Sequence, residues 1–167
     1  MSKPVFAYGS NMCSGRFRAY RIQPEQTGRA AVLSGYRLVF DNESIDRSGK
    51  ANLEPHGGSE TWGVIYLIPD TDLQKLDDGE VGYHRMLLPV RTASNTAVEA
   101  CVYIASAQCR NAALRPYTWY KRFLVEGARE HLLPAEYIAA LESIDAVQDA
   151  DTARDLRKRS LACEAQL

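Results

Sequence analysis

Two short stretches of this 167-residue chain hold the groups best suited to chemistry. The first spans residues 5–11, Val-Phe-Ala-Tyr-Gly-Ser-Asn. It begins as an apolar strand and breaks into Gly9-Ser10-Asn11, and residues 12–22 can then be helical. A strand that feeds a helix through such a turn leaves several backbone N–H groups without an intrahelical acceptor. Together with the positive end of the helix dipole, those donors suit a carboxylate or an oxyanion. The competing reading is a plain strand-to-helix turn with Asn11 as its cap. Ser10 does not sit in a GxSxG elbow and is not read as a hydrolase nucleophile.

The second stretch is acidic: Asp77, Asp78 and Glu80, flanked by Leu76 and Val81. Three readings stay open for it. Carboxylates in turns are commonly a solvated helix end. A divalent-cation site is the weaker reading, since the spacing does not match an EF-hand loop. The third is a general acid or base whose pKa is raised by burial. Tyr120 shares a helix face with Tyr117, Leu124 and Ala128, where a tyrosine ordinarily packs with its hydroxyl satisfied.

Other reactive side chains are scattered. Cys13, Cys101, Cys109 and Cys163 form no CxxC pair and are read as free thiols. Cys101 fits a strand core, and Cys13 is either inert or a nucleophile beside the turn. His56, His84 and His131 lie far apart in no ligand pattern, so no metal is expected.

The elements that position these groups follow from periodicity. Residues 4–8 read as a buried strand, and 30–40 as a strand bent or broken at Gly35. Residues 41–60 are polar and read as a long loop with at most one short strand near 51–54. Residues 61–68, TWGVIYLI, give the strongest strand pattern, with apolar side chains on both faces. A short helix over 72–76 precedes strands at 86–92, interrupted by Pro89, and at 98–104. Pro116 suits a first helical position and Pro134 opens another helix, while 151–162 reads as a charged surface helix. Strands early and helices late indicate an α+β fold, a small, mostly antiparallel barrel flanked by helices, in one domain over 1–167.

The net charge of −1 and the absence of a basic run argue against nucleic-acid binding. No apolar segment nears the roughly 18 residues a membrane helix needs, and no signal peptide is evident. A cytoplasmic setting is expected.

Several blocks occur in an order that resembles the γ-glutamylcyclotransferase family, within the AIG2-like superfamily. They are Phe6 to Met12 (FAYGSNM), Trp62 to Tyr66 (WGVIY), Leu76-Asp77 with Glu80, Tyr120-Lys121-Arg122, Gly127 to Glu130, and Leu133-Pro134 with Glu136-Tyr137. The resemblance runs over residues 5–144. It implies a small mixed barrel and a cofactor-independent cleavage of γ-glutamyl amides to 5-oxoproline and a free amine or amino acid. It further implies a catalytic acid at Glu80, a substrate loop through Tyr8, Gly9, Ser10, Asn11, Met12 and Cys13, and a glutamyl contact from Tyr120. The expected partner is a small γ-glutamyl substrate, and a homodimer is allowed. Deprotection of a γ-glutamylated pathway intermediate, or a γ-glutamyl-binding module without turnover, are the alternatives. Val81 follows Glu80 where the family often has Gly, and Glu80 to Tyr83 is short, which implies a differently shaped loop around the acid. Cys13 stands where an aliphatic residue is usual. Asn11 differs from the Leu of the glutathione-specific relatives.

Overall fold

The computed structural model describes residues 1–161 and Cys163. Five strands close into a barrel in the order β1-β3-β2-β4-β5. They are β1 (Ser2–Ala7), β2 (Arg29–Glu43), β3 (Gly49–Pro69), β4 (Tyr83–Thr92) and β5 (Ala97–Ala105). Every neighbouring pair is antiparallel except the closing seam, where β1 runs parallel to β5 with Val5 opposite Cys101. The barrel is therefore mixed and mostly antiparallel. Helices α1 (Asp70–Gly79), α2 (Thr118–Glu130), α3 (Ala135–Ser143) and α4 (Thr152–Arg159) flank it.

The apolar run at 61–68 becomes the half of β3 that pairs with β1 on one side and β2 on the other. Val64, Ile65, Tyr66 and Ile68 are all buried there, as a strand with two neighbours and both faces covered requires. Residues 41–60 are not the loop expected from their polarity. Strands β2 and β3 form one long hairpin, and only residues 44–48 turn. Polar partners across the strands take the place of an apolar pattern: Arg37 pairs with Glu54 at 2.6 Å, and the Asn52 amide donates to Asp41 at 2.8 Å. The register shifts around Gly35, where the sequence pattern breaks.

The helix expected over 12–22 is instead two 3-10 segments, Ser10–Met12 and Ser14–Tyr20. Their tight bonds run from Met12 N–H to the Gly9 carbonyl at 3.1 Å and from Arg16 N–H to the Cys13 carbonyl at 3.0 Å. Helix α2 presses on this turn through Gly127, where a Cβ would stand 2.5 Å from the Cys13 nitrogen and 2.6 Å from the Met12 carbonyl carbon. Pro116 lies just ahead of α2, whose N-cap is Tyr117.

The expectation of four free thiols is corrected for two of them. Cys13 and Cys163 form a disulfide, and Cys101 and Cys109 are free. The Cys163 carbonyl also accepts from Gly15 N–H at 2.7 Å and from the Ser14 hydroxyl at 3.0 Å. The pair is 150 residues apart in sequence, so spacing gives no sign of it. Among the described residues, no helix is long and apolar enough to cross a membrane.

Candidate active site

Strand β1 delivers Tyr8 and the Gly9-Ser10-Asn11 turn to one end of the barrel. Helix α1 ends one residue before Glu80, whose N–H closes the last turn on the Leu76 carbonyl at 3.0 Å. The two stretches meet: Asn11 Nδ2 donates to Glu80 Oε1 at 2.6 Å. They line a small recess of about 40 Å³ together with Tyr83, Tyr103 and Tyr120. Tyr120 reaches the recess from α2, and its hydroxyl accepts from Ala51 N–H at 3.1 Å. Gly9 allows this approach, because a Cβ there would lie 3.2 Å from the Tyr120 oxygen and 3.1 Å from the Ala51 Cβ.

The turn's own donors divide sharply. Met12 N–H bonds Gly9 O and Cys13 N–H bonds Ser10 O. No acceptor within the described chain is paired with the N–H groups of Gly9, Ser10 and Asn11, the first ones of the 3-10 turn. The several free donors expected of this turn are thus those of Gly9, Ser10 and Asn11. Met12 is fully buried, its carbonyl accepts the Tyr66 hydroxyl at 2.8 Å, and it does not line the recess. Cys13 is buried in its disulfide and does not line the recess either, and it has no thiol to act as a nucleophile.

The acidic stretch separates into structural and poised carboxyls. Asp77 accepts from the Tyr103 hydroxyl at 2.6 Å and pairs with Arg85 at 2.8 Å. Asp78 accepts from Gln74 on the exposed face. Glu80 turns inward, and burial pushes its pKa above the usual carboxylate value. The Asn11 amide and the Arg16 guanidinium pull in the opposite direction without cancelling that effect. Burial also raises the Tyr120 hydroxyl to about 12, with the Glu80 charge adding to the rise, so Tyr120 is a neutral donor at neutral pH. Tyr8 is held neutral more firmly still, chiefly by burial, and its hydroxyl bonds the Tyr103 carbonyl.

Sequence reasoning missed Arg16, Tyr20 and Tyr83. Arg16 and Tyr20 follow the turn with a spacing that puts them beside it, and the Tyr20 hydroxyl meets both the Arg16 and Asn11 side chains. Tyr83 opens β4 three residues after Glu80 and donates to the Ala51 carbonyl at 2.6 Å. Its position after a Gly-containing turn was a usable signal. Among the described residues, no group of three or more His, Cys, Asp or Glu side chains is placed to hold a metal ion.

This arrangement can bind a carboxylate or oxyanion on main-chain donors and move a proton through one carboxyl. Comparison with known proteins shows what the chain as a whole is similar to. Residues 60–141 match the AIG2-like family. The chain is 30% identical over 146 residues to a γ-glutamylcyclotransferase of Bos taurus, covering 84% of this chain and 77% of that protein. A human γ-glutamylcyclotransferase is 29% identical over 148 residues, with the same coverage. A solved γ-glutamyl cyclotransferase structure superposes with a TM-score of 0.82 at 25% identity, covering 96% of this chain and all of the other.

Proposed function

The chain belongs to the γ-glutamylcyclotransferase family, and on that premise we propose that the recess around Glu80 is where it converts a γ-glutamyl amine or amino acid to 5-oxoproline and the free amine. The observation that carries this assignment is the Asn11–Glu80 hydrogen bond, which holds an inward carboxyl of raised pKa against a turn of unpaired N–H groups.

The nucleophile is the substrate's own α-amino nitrogen, so most of the proximity is built into the substrate. Glu80, as carboxylate, takes a proton from the α-ammonium. The freed nitrogen attacks the γ-carbonyl carbon, and the carbonyl oxygen becomes an oxyanion. Collapse of that intermediate breaks the bond to the leaving nitrogen, which receives the proton from Glu80. The regenerated Glu80 carboxylate then takes the second proton from the ring nitrogen, which becomes the neutral lactam N–H, and passes it to the departing amine, which leaves as the ammonium. The ring retains the new C–N bond, no water is consumed, and Glu80 ends as carboxylate. One residue serves both transfers if it titrates nearer neutrality than an ordinary carboxyl. The N–H groups of Gly9, Ser10 and Asn11 supply donors for the substrate carboxylate or the oxyanion, and losing one oxyanion donor typically costs about 10²–10³ in rate. Tyr120, whose hydroxyl lies beside Gly9, donates to the glutamyl portion. A small-molecule substrate is the partner this reading requires, and a cytoplasmic setting goes with it.

The test is Glu80→Gln. Release of 5-oxoproline from γ-glutamyl-alanine should be abolished while circular dichroism and the melting curve remain those of a folded protein. Full turnover by the variant would overturn the assignment of Glu80. Tight binding of γ-glutamyl ligands by the wild-type chain without turnover would identify a binding module instead.

A further inference from the structure

A second chamber of about 440 Å³ adjoins the recess. Ser10, Glu80, Tyr83 and Tyr120 line both, so the two cavities open onto the same carboxyl. In the proposed reaction the leaving nitrogen must reach Glu80 to collect its proton. Whatever substituents that nitrogen carries then extend into the outer chamber.

The walls of that chamber are unusually basic for a chain of net charge −1. Arg16, Lys50, Arg154, Arg157 and Lys158 line it, against Asp46 and Glu80 as the acids. Two of these cations are already paired: Lys50 with Asp46 at 2.7 Å, and Arg154 with Asp149 at 2.6 Å. Among the described residues, Arg16, Arg157 and Lys158 make no ion pair. The Arg16 Nε is enclosed without a hydrogen-bond partner among those residues. Aromatic faces hold two of these three charges, with the Arg16 guanidinium 5.1 Å from the Phe123 ring centre and the Lys158 ammonium 5.4 Å from that of Trp119. Burial lowers the Lys158 pKa, and repulsion from Arg16 and Arg157 lowers it further, as expected for like charges gathered round one space.

Three unpaired cations around a cavity repel one another until an anion joins them. The glutamyl α-carboxylate supplies one negative charge, and the main-chain turn is available to it. Even if Arg16 bound that carboxylate instead, Arg157 and Lys158 would still face the leaving group. We propose that the preferred substrate releases an amine carrying at least two negative charges, such as an acidic amino acid or a phosphorylated one. This rests on the cyclotransferase reading and adds to it the chemical class of the leaving group.

The experiment measures 5-oxoproline release from γ-glutamyl-glutamate and γ-glutamyl-glutamine, near-isosteres that differ by one charge on the leaving group. The expected kcat/KM ratio in favour of glutamate is about tenfold or more, the equivalent of one or two partly screened ion pairs. γ-Glutamyl-phosphoserine is run alongside, and its rank against γ-glutamyl-glutamate separates a phosphate preference from a dicarboxylate one. Raising ionic strength from about 0.1 M to about 1 M shortens the screening length from about 10 Å to about 3 Å and should compress the ratio. Arg157→Gln with Lys158→Gln should bring it near unity. That variant alters two chamber-lining side chains of α4, and the salt series tests the same point without any variant. Equal turnover of the glutamate and glutamine substrates, insensitive to salt, overturns the charge proposal while leaving the cyclotransferase intact. No 5-oxoproline from any substrate, γ-glutamyl-alanine included, overturns the reading beneath it.

Discussion

Replacing Asn11 by leucine probes whether Glu80 is the group that moves the proton. Among the described residues, the Asn11 amide is the side-chain donor bonded to the Glu80 carboxyl, at 2.6 Å. A hydrogen bond to a charged acceptor is worth about 1.5–3 kcal/mol. This one favours the carboxylate over the neutral acid, in opposition to burial, which is the larger effect. If about 1.4 kcal/mol of its strength distinguishes the two protonation states, removing it moves the Glu80 titration alkaline by about one pH unit. The sign is fixed by the direction of the bond. Leucine leaves the burial and removes an opposing influence, so a pKa that is already raised rises further and the base form becomes scarcer at a given pH. The acid limb of kcat/KM for 5-oxoproline release should therefore shift to higher pH by about one unit, with activity on the acid side down about tenfold. On the alkaline plateau, the remaining loss reports only misorientation of the acid. Initial rates on γ-glutamyl-alanine across the acid-to-alkaline range resolve the two. An acid limb that stays in place while the plateau falls would mean that Asn11 orients Glu80 without setting its proton affinity. A profile unchanged in both respects would remove the Asn11–Glu80 pair from the proton-transfer step.

Tyr120→Phe leaves Ala51 N–H without its acceptor and should lower stability by about 1 kcal/mol. It should reduce kcat/KM by a smaller factor than Glu80→Gln, and unaltered kinetics would return Tyr120 to a packing role. Gly127→Ala drives a Cβ to within 2.6 Å of the backbone of the turn, which cannot rotate away. Both the melting temperature and turnover should fall, and an unchanged melting temperature would show that α2 does not clamp the turn. Cys13→Ser opens a cross-link spanning 150 residues. Loss of such a constraint typically costs about 2–4 kcal/mol, or a drop of about 4–15 °C in melting temperature for a chain of this size. The same drop should appear in the wild-type protein on adding dithiothreitol and be absent in the variant.

Local pattern explains why some of this was readable before the fold. The break from apolar strand to Gly9-Ser10-Asn11 lies within seven residues, and the two-faced run at 61–68 announces a strand with neighbours on both sides. Helices α2 and α3 carry their periodicity openly. The first half of β3 does not, because Arg37–Glu54 and Ser34–Glu60 join residues 17 and 26 apart and look like loop polarity when each strand is read alone. The same blindness hid the disulfide. Spacing alone did not tell Glu80 from Asp77 and Asp78, and only the family resemblance singled it out; in the fold, Tyr103 and Arg85 occupy Asp77. The basic wall of the outer chamber was partly in view, since Arg154, Arg157 and Lys158 recur at helical spacing on one face of α4. The charged character of that helix suggested a solvated surface, yet the face closes over Trp119.

Using one carboxyl for both proton transfers places opposing demands on its surroundings. As a base it must be charged when substrate arrives, and as an acid it must hold a proton until the leaving nitrogen needs it. Burial alone would satisfy the second demand and defeat the first. The Asn11 amide and the Arg16 charge supply the counterweight, Asn11 from the turn and Arg16 from the wall of the outer chamber. An anionic leaving group drawn toward Arg16 would offset part of that positive charge and raise the Glu80 proton affinity just when the acid form is built up. Once the amine departs with its charges, Arg16 again favours the carboxylate. On this argument the chamber does more than select substrates. The same electrostatic contact that recognises the leaving group helps reset the residue that expels it.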